Sequence, residues 1–278
     1  MTITTKTQLC GVIGYPIEHS LSPAIHNAAA AYCKVNAVYM AFEVKNAQDA
    51  ITAQRALNIV CFSVTIPYKE KVIPFLDKVH SSAKALGNVN TVINDHGVLT
   101  GYNTDINGVL GSLRGIVLKG KPVVLLGAGG IAQTFSYVIA KKGGKLFVFN
   151  RDLQEAQKFK KRFQTVVKHL DTLAMSIKQI NPVLLINATP VGMGALKGKS
   201  LIDPAFLSPS MIVCDVIYNP LQTKLVSDAR KAGCRTITGD TLFLAQGARQ
   251  FELWSKKAAP RKVMEKAFYR ALKSAKMQ

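Results

Sequence analysis

The chain has 278 residues, 48% of them hydrophobic and 19% charged, which is enough to bury two cores and too apolar for a disordered chain. Its uncharged apolar stretches fall short of the ~20 residues that a spanning helix needs, and residues 1–16 lack the parts of a secretory signal, so the expected location is the cytoplasm. The 36 basic and 16 acidic residues leave a net charge of +20, a field that attracts anions without naming one. The basic clusters at 141–145, 158–162, 195–199 and 256–276 read as solvated helix faces and loops. With no nucleic-acid-binding motif beside them, nucleic acid is not an expected partner. Five Cys, odd in number and never in a CxxC pair, and five His without ligand spacing predict neither a disulfide framework nor a metal site.

In chain order, short apolar runs alternate with helical stretches. The run CGVIG precedes a helix from Ser22; VYMAFEV, a helix near Ala47 to Leu57, and IVCFSVTI follow. This is the rhythm of β-α-β units. Ser22-Pro23 has the form of an N-cap followed by proline at the first helical position. VNTVI and VLTGY, joined by Asn94-Asp95-His96-Gly97, read as a hairpin that closes the first sheet. A helix from about Thr104 to Leu113 leads to strand, glycine turn, helix and strand within residues 121–151. Strands at 183–187, 211–216 and 235–238 complete a mostly parallel sheet with helices on both faces. After Gly239 the chain is helical, with Pro260 opening a last helix to Met277.

The sharpest local signal is Gly127-Ala128-Gly129-Gly130-Ile131-Ala132, a GxGxxG/A fingerprint between VVLL and a helix. The first glycine permits the turn, the second lets backbone approach a pyrophosphate, and the small last residue lets helix and strand pack. The next strand ends in Asn150-Arg151 where an NAD site expects an acid, so the unit reads as NADP-selective, Arg151 offering its donor fork to a 2'-phosphate. Asp152 either repels that phosphate or caps the helix behind it, and its helix-starting context favours the cap.

In the first hundred residues, Ser20 and Ser22 stand at a loop-to-helix junction that suits a carboxylate, or Ser22 is only a cap and Ser20 a turn residue. Thr65-Ile66-Pro67-Tyr68-Lys69 follows a strand and is expected to start a helix, with Lys69 in a first turn that disfavours cations. Asp105 of Gly101-Tyr102-Asn103-Thr104-Asp105 sits between a strand and a helix near the seam of the two halves, where clefts are usual.

In order and spacing, VIGYPIEHSLSPAIHN, FSVTIPYKE, GNVNTV, GYNTD, LLGAGGIA, NATPVGM, DVIYNPLQTKL and LAQGA resemble the motif set of the shikimate dehydrogenase family over nearly the whole chain. The resemblance implies an α/β protein with two domains: a substrate-binding domain at residues 1–103 plus 239–278, and a Rossmann-like NADP-binding domain at 104–238, the C-terminal helices returning to the first. It implies NADP-dependent interconversion of 3-dehydroshikimate and shikimate, on the route to chorismate and the aromatic amino acids. By matching positions, Lys69 and Asp105 are the catalytic pair. Ser20 and Ser22 hold the substrate carboxylate, Thr65, Asn90, Asp105 and Gln246 bond ring hydroxyls, and Tyr218 lines the same pocket. Gly127, Ala128, Gly129, Gly130, Ile131 and Ala132 form the phosphate turn, Asn150 and Arg151 read the adenosine phosphate, and Thr189, Val216 and Gly239 contact cofactor. Two departures stand out: Asp152 where the family commonly has Thr or Ser, and Leu242 where it has Met.

The expected partner is thus a small anionic substrate, with no membrane and with monomer or homodimer left open. The alternatives are a quinate/shikimate dehydrogenase using NAD, and a ligand-sensing or nucleic-acid-binding relative without activity.

Overall fold

The computed structural model describes residues 2–274. Its chain divides into two compact units, Met1–Asn107 with Leu244–Gln278, and Gly108–Phe243.

The first unit is built on a mixed six-stranded sheet. In chain order it has β1 (Gln8–Gly14), α1 (Ser22–Tyr32), β2 (Ala37–Glu43), α2 (Ala47–Ala56), β3 (Cys61–Val64), β4 (Lys78–Val79), α3 (Ser81–Leu86), β5 (Thr91–Asp95) and β6 (Val98–Tyr102), after which α4 (Asp105–Ser112) begins. The strand order is β2-β1-β3-β5-β6-β4. β1 runs parallel to β2 and β3, and β5 is antiparallel to β3 and β6. β5 and β6 form the expected hairpin. His96 and Gly97 both have positive φ, 50° and 89°, as a type I′ turn requires, and Asn94 Oδ1 accepts from the Gly97 amide at 2.8 Å. The hairpin does not close the sheet, however, because the two residues of β4 pair with β6 outside it. A strand that short carries no periodic signal. Ile13, Phe62, Val64, Tyr68, Val72, Val89, Val92 and Leu99 share one core beneath the sheet.

Two local expectations are corrected here. Leu21, not Ser22, occupies the N-cap of α1, and no side chain caps it; Ser22 lies inside the first turn, its amide donating to Ser20 Oγ at 3.3 Å. Lys69 does not open a helix. Residues 66–72 form successive turns before a 3₁₀ turn at Ile73–Phe75. The Lys69 carbonyl, which a helix would bond to residue 73, instead accepts from Val89 N at 2.7 Å, and Ile73 N turns to Glu70 O. A tertiary partner takes the acceptor that the helix ladder needs.

The second unit is a doubly wound parallel sheet. It contains β7 (Pro122–Leu126), α5 (Gly130–Lys141), β8 (Lys145–Asn150), α6 (Leu153–Phe163), β9 (Val166–His169), α7 (Leu173–Ile180), β10 (Leu184–Asn187), β11 (Ile212–Asp215), α8 (Lys224–Lys231) and β12 (Arg235–Ile237). All five pairings in the order β12-β11-β10-β7-β8-β9 are parallel. The chain leaves β7 in one direction and returns through β10 in the other, so right-handed crossovers place helices on both faces. β9, α7 and α8 are additional to the elements read from the sequence.

Two helices follow, α9 (Gly239–Ser255) and α10 (Arg261–Ser274). Pro260 stands just before α10 and its carbonyl takes the first helical bond, from Met264 N at 3.1 Å. α10 packs on α1, so the C-terminal helices return to the first unit. Residues 275–277 of the expected last helix lie outside the described residues. No helix of the described residues is long and apolar enough to cross a membrane.

Asp152 is the N-cap of α6, its carboxylate accepting from Gln154 N at 2.8 Å and Glu155 N at 3.1 Å. Asp152→Ala is therefore expected to destabilise the protein by about 1 kcal/mol, read as a lowered urea midpoint with an unchanged m-value.

Candidate functional site

The register of the first sheet carries the polar motifs to one of its ends. Ile13 pairs with Val64, Ser63 with Thr91, and Thr91 with Tyr102. The segments after β1, after β3, before β5 and after β6 therefore emerge side by side, bringing Ser20, Ser22, Thr65, Lys69, Asn90 and Asp105 to the same edge. Thr65 N donates to Ile13 O and Tyr15 N to Ile66 O, which stitches the loops after β1 and β3 together.

At that edge the Lys69 ammonium donates to Asp105 Oδ2 at 2.6 Å, with the two side chains 21% and 10% exposed. Such charge-assisted bonds are short and strong. The second carboxylate oxygen, Oδ1, accepts from Asn90 Nδ2 at 2.8 Å. Asn90 is itself fixed on both sides of its amide: Oδ1 accepts from Thr104 N at 2.8 Å, and Nδ2 also donates to Thr104 Oγ1 at 3.0 Å. The Asp105 amide donates to Asn103 Oδ1 at 3.0 Å, and Asn103 Nδ2 donates to Asn88 Oδ1. Thr104 Oγ1 lies 3.5 Å from Gln246 Oε1 on α9. Lys69, Asn90, Asp105 and Gln246 thus belong to one hydrogen-bonded group. Thr104, quoted within a motif but given no role from the sequence, stands at its centre. Its signal was its place beside Asp105.

In the second unit the expected cofactor residues collect at the C-terminal ends of the strands. Gly127 follows β7, Asn150 ends β8, and Thr189, Val216 and Gly239 follow β10, β11 and β12. The switch point lies between β7 and β10. Gly127 has φ 101°, and a Cβ there would stand 2.9 Å from Ala188 O, so only glycine fits. A Cβ on Gly129 or Gly130 would meet nothing within 4 Å, and α5 begins at Gly130 with no side chain capping it. An open turn at an uncapped helix N-terminus is the concavity that a pyrophosphate fills. Gly239 is close to β11 in the same way, since a Cβ would overlap the Val216 carbonyl.

Asn150 Nδ2 donates to Asp152 O at 2.9 Å and Glu155 Oε2 at 3.2 Å, so its amide is committed to the first turn of α6 while the Arg151 side chain is exposed. Tyr218 lies in this unit with its ring 4.9 Å from that of Phe243. Burial raises its phenol pKa. Among the described residues no group of three or more His, Cys, Asp or Glu could hold a metal ion.

A buried polar knot that the sequence did not single out underlies Thr189. Thr189 Oγ1 donates to Asn187 Oδ1 at 2.6 Å, Asn187 Nδ2 donates to Asp215 Oδ1 at 3.0 Å, and Thr223 Oγ1 donates to Asp215 Oδ2 at 2.7 Å. Burial raises the Asp215 pKa, opposed by Thr223, the Ile217 amide and Asn187.

A doubly wound parallel sheet with a glycine turn at its switch point defines the dinucleotide-binding class of α/β proteins, here in a chain whose other unit presents a lysine-carboxylate pair. Family models place that class further. The shikimate dehydrogenase substrate-binding domain matches residues 12–92, shikimate/quinate 5-dehydrogenase residues 112–191, and the shikimate 5'-dehydrogenase C-terminal domain residues 241–267. A shikimate dehydrogenase (NADP(+)) of Carboxydothermus hydrogenoformans is 40% identical over 275 residues, covering 96% of this chain and 98% of its own. A crystal structure of a shikimate dehydrogenase in complex with NADP+ superposes with a TM-score of 0.90 at 34% identity, covering 98% of both chains. The Listeria monocytogenes shikimate 5-dehydrogenase, in complex with shikimate and NAD, gives 0.88 at 36% identity, covering 96% of this chain and 98% of its own. The chain belongs to the shikimate dehydrogenase family.

The raised pKa of Asp215 sets a pH dependence. The folded state holds its proton more tightly than the unfolded state, so the residue's contribution to stability falls as pH rises from the ordinary value of 3.8 through the raised one. Wild type is expected to lose stability relative to Asp215→Asn over that window, measured as the gap between urea midpoints from pH 3.5 upward.

Proposed function

We propose that this chain catalyses the NADP-dependent, reversible reduction of 3-dehydroshikimate to shikimate, a cytoplasmic step toward chorismate and the aromatic amino acids. The observation that carries the reading is the Lys69–Asp105 pair at 2.6 Å, held by Asn90 at the polar end of the first sheet in a member of this family. The first unit takes the substrate and the second takes the dinucleotide.

When bound, NADPH supplies the hydride for reduction. The chain's own part is charge and position. In this reading Lys69 Nζ donates to the substrate oxygen as negative charge builds there, and gives up a proton to it. Asp105 keeps the ammonium in place through Oδ2 and leaves Asn90 on Oδ1. The hydroxyls of Ser20 and Ser22 bind the substrate carboxylate. Thr65, Asn90, Asp105 and Gln246 bond the ring hydroxyls, and Tyr218 is a further substrate contact.

Gly127, Ala128, Gly129, Gly130, Ile131 and Ala132 receive the pyrophosphate on the α5 N-terminus. Arg151 reads the 2'-phosphate beside Asn150, and Thr189, Val216 and Gly239 contact the cofactor, the nicotinamide end included. Asp152 caps α6, its Oδ1 accepting from two amides, which accounts for an acid at this position without a role in binding NAD. The net charge of +20 favours anionic ligands of this size, the partner is a small molecule rather than nucleic acid, and the protein acts as a monomer or homodimer.

The direct test is absorbance at 340 nm with shikimate or quinate and NADP or NAD in all four pairings. Turnover with shikimate and NADP is expected, and preference for quinate or NAD overturns the substrate or cofactor assignment. Lys69→Ala should lower kcat about a hundredfold with a smaller change in KM, as for an interaction stronger in the transition state; unchanged turnover removes Lys69 from catalysis. Arg151→Ala should raise KM for NADP while leaving NAD use nearly untouched, and equal losses with both would show that it does not read the phosphate.

A further inference from the structure

Behind Asn90 lies a line of buried side chains that no motif-based role covers. Gln250, one helical turn beyond Gln246 on α9, is 2% exposed. Its Nε2 uses both protons, donating to Asn90 O at 3.2 Å and to Thr91 Oγ1 at 3.0 Å. An amide nitrogen only donates, so the fully buried Thr91 hydroxyl accepts there. Its single proton goes to Asn90 Oδ1 at 2.9 Å. That leaves the other end of the Asn90 amide, Nδ2, to face Asp105 Oδ1.

The same logic extends inward from Gln250. Trp254 Nε1, which can only donate, points at His26 Nδ1 at 3.4 Å. Neutral His26 therefore carries its proton on Nε2. His26 stacks on Tyr39, with centroids 4.3 Å apart at 11°, and burial pushes its pKa down to about 4 against the opposing effect of the Gln250 side chain. His26 Nε2 and Gln250 Oε1 are both buried without a hydrogen bond of ordinary geometry.

We infer that Gln250 and Thr91 are positioning residues, which orient the Asn90 amide so that a donor always faces the Asp105 carboxylate. Every donor in the line points the same way, from the Gln250 amide through the Thr91 hydroxyl to Asp105. If the Thr91 hydroxyl is lost, Gln250 keeps its bond to the Asn90 carbonyl, while Asn90 Oδ1 keeps only Thr104 N and, at 3.2 Å, the Thr104 hydroxyl. The carboxamide then gains freedom to rotate, and with it the carboxylate and the Lys69 ammonium. Sub-ångström looseness at a reacting group is costly to rate.

This inference rests on the proposed reaction, and its test separates the two. Thr91→Val keeps the shape and removes the hydroxyl; it should lower kcat with shikimate about tenfold or more while KM for NADP stays at the wild-type value. Thr91→Ser should restore kcat, which a purely structural role for the methyl group would not. Gln250→Met should behave like Thr91→Val, and the double variant should lose little more than either, since both break one chain. Wild-type kcat in a folded Thr91→Val overturns the inference.

A second readout needs no turnover. The Asn90 carboxamide protons of the wild-type protein, followed by nitrogen-15 NMR, should exchange with solvent far more slowly than those of an exposed side-chain amide; exchange at the exposed rate overturns the relay. If wild type is inactive with every substrate pair while these protons are protected in wild type and released in Thr91→Val, the proposed reaction falls and the relay stands.

Discussion

The candidate site depends on keeping one carboxylate, Asp105, between a cation and an amide. Lys69 and Asp105 are largely withdrawn from water, so desolvation offsets part of their attraction, and losing either partner leaves the other charge poorly solvated. By contrast, Arg55 and Asp77 form an ion pair with both side chains more than 40% exposed, where water screens most of the attraction. Asn90 takes the remaining carboxylate oxygen, and Thr104 and Thr91 hold the Asn90 amide in turn.

Strand polarity is what lets distant segments meet this demand. In both sheets the polar residues come from chain leaving or entering strands at one edge, where backbone groups are released from the ladder and side chains are free of the core. The first sheet reaches that arrangement with one reversed strand: β5 runs antiparallel to β3, so Asn90, which precedes β5, stands beside Thr65, which follows β3. The second sheet reaches it with six parallel strands, and the glycine turn after β7 lies against the segment after β10 because Gly127 has no side chain to hold the two apart.

Much of this was legible in the residues. Alternating apolar runs and helix formers reported the β-α-β rhythm, and flanking strand and helix made the Gly127 to Ala132 fingerprint specific. Asp152 announced itself as a cap by what followed it. The misreadings came where a tertiary contact displaced a local preference. Ser22-Pro23 has the composition of a helix start, yet Leu21 takes the cap position and the hydroxyl that meets the Ser22 amide belongs to Ser20. Lys69 has a helical context, yet its carbonyl is taken by Val89.

The sequence by itself determined the order of elements, the two apolar cores, the glycine turn and the inventory of polar groups, because these depend on periodicity, backbone freedom and residue type at short range. Only the tertiary structure decided which polar groups meet. Asn90, Thr104, Gln246 and Gln250 are separated by up to 160 positions along the chain, and Asn187, Asp215 and Thr223 form their buried knot across two strands and a helix start. Hydrogen-bond direction is a property of atoms brought within about 3 Å of one another, and no spacing in the chain encodes it.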